Sequence, residues 1–244
     1  MKILISPTTQ EEARTIAATG TDILDVKNTK EGSLGAQMPW IVRDIVRDHG
    51  NKGMLISATL GDLPFKPGTA ALAAFGAASC GVDYIKAGLW QIESGEQATE
   101  LMNAVRKAIR MVGDDIIVVA AGYADYRRFG GLDFRTLVKS AAESQSDAVM
   151  LDTFIKDGQS LFDALSMDEL REFVSLAKEH NLLTALAGSI LKEHLPALAE
   201  IGADIVGIRG AVCSQGDRTT GIQEHLVDEF MAEAHKLCSL AGTA

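Results

Sequence analysis

Short apolar runs typical of β-strands alternate with amphipathic runs typical of helices along the whole chain. Each strand-like run is nearly all apolar, as expected in a parallel sheet that is covered on both faces. Eight such strand–helix units, without a linker or repeat, predict an α/β fold, a (β/α)8 TIM barrel, in a single domain spanning 1–244. We predict strands at 2–6, 22–27, 53–58, 82–86, 116–121, 147–152, 183–187 and 204–208, and helices at 9–19, 37–48, 67–80, 93–112, 132–145, 166–180, 192–201 and 222–240.

Local signals mark several of the predicted helix ends. Thr9 with Glu12, and Ser166 with Glu169, fit the capping box, in which each side chain binds a free backbone N–H. Gly20 falls where a left-handed residue would end the first helix. A doubly wound open sheet of eight strands is the competing fold, but no G-x-G-x-x-G motif follows the first strand, which weakens its dinucleotide-binding form.

Composition and net charge limit which binding partners and which cellular compartment are expected. The 33 acidic and 23 basic residues give a net charge of −10, so nucleic acid is not expected as a partner, and an anionic substrate needs a local basic pocket. No apolar run reaches the roughly 18 residues that span a membrane. The three cysteines (Cys80, Cys213 and Cys238) form no C-x-x-C pair, and the chain opens on a strand-like run without a signal peptide. These features favour reduced thiols in a cytoplasmic protein, and apolar helix faces favour a homo-oligomer.

Lysines stand at the ends of predicted strands, where barrels seldom carry them. Alternation along the second strand puts Asp25 and Lys27 on one face. Lys86 ends the fourth strand, and Lys156 follows Asp152 at the end of the sixth. Because an ammonium group is costly to bury, several lysines at this edge indicate that their amines take part in chemistry.

An amine attacks a carbonyl only when it is unprotonated, so a catalytic lysine needs a lowered pKa. Burial and neighbouring cations both lower it, whereas a carboxylate such as Asp25 opposes the change. Asp25 or Asp152 is suited to moving protons during formation of a Schiff base. The alternatives are a structural Asp25–Lys27 ion pair and, for Lys156, an ordinary solvated side chain.

A second signal points to phosphate. Gly188 and Ser189 follow the seventh strand, and Arg209 and Gly210 follow the eighth, which is the usual phosphate site of such barrels. Arg209, or Arg218 further along, offers a fork of N–H donors. Ser57, near the end of the third strand, is a further candidate for substrate binding. The five histidines lie in helices or at their ends, so neither a histidine general base nor a metal site is predicted. No cofactor is predicted.

Longer segments around these residues resemble the (5-formylfuran-3-yl)methyl phosphate synthase family of methanofuran and methylofuran biosynthesis. The likeness runs from residue 1 to about 238. It rests on Asp25-Val26-Lys27-Asn28, Lys30-Glu31-Gly32-Ser33-Leu34-Gly35-Ala36, Ser57-Ala58-Thr59, Gly61-Asp62, Lys66-Pro67-Gly68-Thr69, Tyr84-Ile85-Lys86, Ala120-Ala121-Gly122-Tyr123-Ala124-Asp125, Met150-Leu151-Asp152-Thr153, Ile155-Lys156-Asp157-Gly158, Ala185-Leu186-Ala187-Gly188-Ser189-Ile190 and Arg209-Gly210-Ala211.

The resemblance implies a carbon–oxygen lyase acting on phosphates, in which two molecules of glyceraldehyde 3-phosphate condense to a furan aldehyde phosphate with loss of phosphate and water. It implies that Lys27 forms the Schiff base and that Lys86 is the proton acceptor, with Asp25, Asp152 and Lys156 in support. The product would serve one-carbon metabolism. The expected partner is therefore a small phosphorylated aldehyde.

Two other functions fit the residues alone. A Schiff-base (class I) aldolase or isomerase of small sugar phosphates would use the same lysines but would release no furan. A non-catalytic barrel that binds a phosphorylated metabolite would form no covalent adduct, and its Asp25–Lys27 pair would be structural.

Overall fold

The computed structural model describes residues 1–50 and 53–241, with side chains as far as Leu237. Within that part of the chain, Cys80 and Cys213 are free thiols, whereas the Cys238 side chain lies outside it. None of the described helices combines the length and apolar character that a membrane span requires.

Eight parallel strands close into a barrel in chain order, which confirms the predicted (β/α)8 fold. Strand β1 pairs with β2 and also with β8, where Lys2 lies opposite Ile205. An open sheet would leave two edges unpaired, so the doubly wound alternative is wrong. The strands are β1 (Lys2–Ile5), β2 (Ile23–Val26), β3 (Leu55–Leu63), β4 (Tyr84–Leu89), β5 (Ile117–Tyr123), β6 (Ala148–Asp152), β7 (Leu183–Leu186) and β8 (Ile205–Ile208).

Helices surround the barrel and begin and end close to the predicted positions. They are α1 (Gln10–Thr19), α2 (Pro39–His49), α3 (Pro67–Ala78), α4 (Gly95–Arg110), α5 (Phe134–Glu143), α6 (Leu161–Ala164), α7 (Met167–Glu179), α8 (Leu195–Ile201) and α9 (Glu224–Ala241). The capping box of Ser166 and Glu169 is present, and Gly20 ends α1 in the left-handed conformation, with a φ of 80°. The short helix α6, which lies in a predicted loop, is capped by Ser160, whose backbone N–H donates to Asp163.

The strands around the middle of the barrel run further than the apolar runs predicted. Strand β3 continues to Leu63, because its pairing with β4 resumes after a register shift between Thr59 and Asp62. Gly61, with a φ of 111°, lies at that shift. A left-handed glycine permits such an irregularity, and so the strand continues through a bulge beyond its predicted end at residue 58.

Two apolar layers hold the barrel together. The larger one lies between the strands and the helices, and the smaller one fills the barrel interior with side chains such as Leu4, Tyr84, Val119 and Met150. A barrel filled in this way is a packed core and not a pore. Polar groups are therefore held at the carboxyl-terminal mouth, above a rigid base.

The segment between β2 and α2 (27–38, the β2–α2 loop) folds over part of this mouth. Ser33 Oγ donates to the backbone oxygen of Thr153 at 2.8 Å, and the buried side chain of Leu34 joins the interior cluster. Asp62 accepts hydrogen bonds from the backbone N–H of Leu34 and from the Tyr123 hydroxyl. The loop thus covers the β3–β6 side of the mouth and leaves the opposite side open.

We expect Asp62→Ala to lower the free energy of unfolding by about 2 kcal/mol, because the buried Tyr123 hydroxyl and the Leu34 N–H would lose their acceptor. Urea denaturation measures the change. Asp168→Ala is the matched control, since that carboxylate has 93% of its side chain exposed, and its effect should stay below about 0.5 kcal/mol. Equal effects of the two substitutions would show that Asp62 does not hold the loop.

Candidate active site

A cavity of about 230 Å³ opens at the carboxyl ends of the strands, on the side that the β2–α2 loop leaves uncovered. Asp25 lines it from β2 and Lys27 from the first position after β2, and Asp152 and Lys156 line it from β6 and the turn that follows. The turns after β7 and β8 form its remaining wall. Four of the five predicted catalytic residues therefore meet in one cavity; the fifth, Lys86, lies behind its wall.

Lys86 is fully buried, and its ammonium lies 2.6 Å from Oδ1 of Asp25. The other carboxylate oxygen of Asp25 accepts a hydrogen bond from the Ser6 hydroxyl at 3.0 Å. Burial alone would raise the pKa of Asp25, but the positive charges of Lys86 and Lys27, together with hydrogen bonds to the carboxylate, hold the pKa below its ordinary value. The close ion pair of Asp25 is thus with Lys86, and the alternative Asp25–Lys27 ion pair is not formed.

Lys27 is buried, with 7% of its surface exposed, and forms neither an ion pair nor a hydrogen bond with any described residue. Burial lowers the pKa of its amine to about 8, against the opposing charges of Asp152 and Asp25. Lys86 and Lys156 lower this pKa further by repulsion. An amine with this pKa has a usable unprotonated fraction near neutral pH, and it has no partner among the described residues to displace before it reacts.

Asp152 and Lys156 form the second charged pair of the cavity. The ammonium of Lys156 lies 2.7 Å from Oδ1 of Asp152, which also accepts from the backbone N–H of Thr153. Burial would raise the pKa of Asp152, but Lys156 and Lys27 lower it to about 2. Asp152 is therefore a permanent negative charge at neutral pH, and Lys156 is fixed at the cavity wall by it.

Backbone groups dominate the β7–β8 side of the cavity. Gly188 and Ser189 have left-handed φ values of 111° and 47°, and a Cβ on Gly188 would lie 3.0 Å from the backbone nitrogen of Thr153. The backbone N–H groups of Ser189 and Gly210 find no acceptor among the described residues. Free N–H groups at the wall of a cavity are suited to binding an anion.

The predicted phosphate ligand Arg209 has other partners. Its guanidinium donates to both carboxylate oxygens of Glu12, at 3.0 and 3.1 Å, and to the backbone oxygens of Ser6, Arg218 and Thr220. These bonds use all five N–H donors of an arginine. Arg209 and Arg218 both line the cavity, but Arg209 ties the loop after β8 to α1, whereas the side chain of Arg218 has no hydrogen-bond partner among the described residues.

Two further residues differ from what the sequence suggested. Ser57 is fully buried beside Asp25 in the neighbouring strand and does not reach the cavity wall. Thr9 caps α1 as predicted, but the carboxylate of Glu12 accepts from the backbone N–H of Thr8 and from Arg209 instead of completing the capping box. A glutamate near a helix start gave no sign of this second role.

Several known proteins are similar to this chain in sequence along nearly its whole length, and others are similar in fold. The family model described as 4-HFC-P synthase matches residues 3–231. A "(5-formylfuran-3-yl)methyl phosphate synthase" of Methanobrevibacter smithii is 51% identical over 98% of this chain and 99% of its own. The protein of the same name from Methanocaldococcus jannaschii is 50% identical over 98% of this chain and all of its own. The solved structure of KGPDC from Streptococcus mutans is similar in fold alone, with a TM-score of 0.65, 12% identity and coverage of 97% of this chain and 98% of its own.

Proposed function

The chain belongs to the 4-HFC-P synthase family, and from that premise we propose that it converts two molecules of glyceraldehyde 3-phosphate into (5-formylfuran-3-yl)methyl phosphate through a Schiff base at Lys27. One phosphate and two water molecules leave. Since phosphate departs by cleavage of a carbon–oxygen bond, the enzyme acts as a carbon–oxygen lyase. The product then serves methanofuran or methylofuran biosynthesis.

The observation that carries this proposal is the state of Lys27. Its amine is buried, has no ion-pair partner among the described residues, has a pKa of about 8 and lies on the wall of a cavity that two carboxylates share. Desolvation beside other cations is the usual way in which a lysine becomes a nucleophile. A lysine kept only for structure would be expected to have a close carboxylate partner, as Lys86 has in Asp25.

The first steps follow from the groups around this amine. Lys27 adds to the aldehyde carbon, and the carbinolamine loses its hydroxyl group as water with a proton from the Lys156 ammonium. Asp152, with a pKa of about 2, stays ionised and stabilises the iminium. The iminium is the electron sink for removal of a proton from the adjacent carbon.

Asp25 is the carboxylate on the cavity wall that is suited to receive this proton. Lys86 contacts Asp25 and not the cavity, so its ammonium supports the proton transfer by stabilising the charge of Asp25. The resulting enamine expels phosphate from its third carbon, and that carbon then adds to C2 of the second molecule, which has first isomerised to its ketone. Closure of the ring and loss of two water molecules then give the aromatic furan, and hydrolysis of the iminium frees the product from Lys27 and returns the water lost when the Schiff base formed.

Trapping tests the proposal directly. The protein is incubated with glyceraldehyde 3-phosphate and borohydride, and its intact mass and peptide map are then measured. We expect a stable adduct on the peptide that carries Lys27. Without borohydride, an ultraviolet-absorbing furan and free phosphate should form. No adduct on folded protein would sink the proposal in favour of a binding barrel, and an adduct without a furan would indicate an aldolase or isomerase.

The rate of trapping should depend on pH through the Lys27 amine. Because only the unprotonated amine attacks, we expect the rate to rise as the pH increases through about 8, and not through the ordinary lysine pKa of 10.5. Asp152 raises the pKa of Lys27, so Asp152→Asn should move the midpoint to lower pH. A midpoint near 10.5, or an unchanged midpoint in Asp152→Asn, would contradict this assignment.

A further inference from the structure

Arg218 is a half-buried arginine on the cavity wall. Its guanidinium forms neither a hydrogen bond nor an ion pair with any described residue. Loss of contact with water lowers its pKa, and Arg209 lowers it further by repulsion. An arginine carries five N–H donors, which are costly to remove from water unless they have acceptors. The side chain is therefore placed for an acceptor that arrives from outside.

The surroundings of Arg218 identify the charge of that acceptor. Asp152 is the carboxylate that attracts it, but Asp152 is already bound to Lys156 and to the Thr153 N–H. On the same wall, the backbone N–H groups of Ser189 and Gly210 have no acceptor among the described residues. The positively charged guanidinium of Arg218, with its forked N–H donors, and the free backbone N–H groups lie around one cavity. Together they are complementary to a small dianion with several oxygens.

Arg209 fixes the backbone from which this side chain extends. Its Nε donates to the backbone oxygen of Arg218 itself at 3.0 Å, while its two terminal nitrogens bind Glu12. Glu12 in turn accepts from the backbone N–H and the hydroxyl of Thr8. The loop after β8 is thus anchored to the first strand–helix connection through a buried, bidentate ion pair.

We propose that Arg218 is the side chain that binds a substrate phosphate, together with the backbone N–H groups of Ser189 and Gly210, and that the Glu12–Arg209 pair positions it. The proposal rests on the proposed function for its substrate class, a phosphomonoester of a three-carbon aldehyde. It assigns the phosphate to Arg218 and leaves to Arg209 a positioning role.

Binding of inorganic phosphate, measured by isothermal titration calorimetry on the full chain, tests this without any turnover. We expect Arg218→Ala to weaken binding about tenfold to a hundredfold, as is typical for loss of a charged hydrogen-bond donor. Arg218→Lys should fall in between, since it keeps the charge but not the fork. The matched control is Arg47→Ala, an exposed arginine of α2, which should bind phosphate like the wild type.

A second measurement separates recognition of phosphate from the chemistry at Lys27. Arg218→Ala should slow borohydride trapping of subsaturating glyceraldehyde 3-phosphate and leave trapping of unphosphorylated glyceraldehyde unchanged. In steady state, its KM should rise more than its kcat falls. Glu12→Ala should weaken phosphate binding less than Arg218→Ala does, and Glu12→Gln, which keeps an acceptor for Arg209, should restore most of the loss.

These experiments distinguish failure of the phosphate-site inference from failure of the proposed function. Wild-type affinity for phosphate in a folded Arg218→Ala protein would overturn the inference, and so would a wild-type protein that binds no phosphate. Weakened phosphate binding in Arg218→Ala, with no furan formed by the wild type, would uphold the inference while removing the proposed reaction.

Discussion

Replacement of Lys27 by alanine is expected to lower turnover at least about a thousandfold, since the nucleophile itself is removed. No adduct should be trapped from glyceraldehyde 3-phosphate. The fold should persist, because the Lys27 amine has no hydrogen bond or ion pair among the described residues whose loss would leave a partner unsatisfied. Furan absorbance, released phosphate and circular dichroism, measured on the same preparation, separate lost chemistry from lost structure.

Two further variants test whether the loss of turnover is specific to the amine of Lys27. Lys30→Ala is the matched control, because Lys30 is exposed in the same loop and only its backbone N–H makes a hydrogen bond, to Asn28. It should retain near wild-type turnover. Lys27→Arg keeps a positive charge but not a nucleophilic amine, so it should be as inactive as the alanine variant. Substantial activity in either Lys27 variant would exclude the Schiff base at this position.

The barrel was predictable because its signals are local. Each strand is a short apolar run, and several helix starts have their own caps, so most elements can be recognised one at a time along the chain. The choice between a closed barrel and an open sheet is different. It depends on pairing of β1 with β8, where Lys2 lies opposite Ile205, and no pattern within either strand records that contact.

In the same way, the sequence predicted the residues of the cavity but not their contact partners. Asp25, Lys27, Asp152 and Lys156 were predicted to share a site because the carboxyl ends of parallel strands meet at one edge. Alternation along β2 placed Asp25 and Lys27 on one face, yet it could not tell which ammonium contacts Asp25. That partner, Lys86, comes from β4 and reaches Asp25 across the barrel interior.

The two arginines in the loop after β8 are a second case in which a contact between distant residues decides the arrangement. Arg209 stands directly after the strand, where a phosphate ligand is expected, and Arg218 lies nine residues further on. Which of them faces the cavity unpaired depends on Glu12, which is 197 residues away from Arg209 in the chain. Short-range spacing favoured Arg209, whereas the long-range ion pair leaves Arg218 as the free donor.

Replacement of Lys86 by methionine is expected to produce the largest loss of stability, about 3–5 kcal/mol, which is typical when one partner of a buried ion pair is removed. Asp25 would remain buried without its contact at 2.6 Å, and Lys27 is the remaining cation that lowers its pKa. Urea denaturation at pH 7 measures the loss. Lys139→Met, at an exposed site on α5, is the control and should change stability by less than about 1 kcal/mol.

The pH dependence of this loss identifies its cause. In the wild type, the pKa of Asp25 lies below 3.8, so the stability that its ionised form contributes is present above that pH and falls as the pH drops through the lowered value. In Lys86→Met, burial should raise this pKa, and the deficit should shrink as the pH falls towards about 4 and Asp25 gains a proton. The double variant Asp25→Asn with Lys86→Met should recover much of the stability at pH 7 but not the activity, because Asp25 lines the cavity. If the double variant is no more stable than Lys86→Met, the methionine fits badly in the barrel, and an unpaired Asp25 charge is not the cause of the loss.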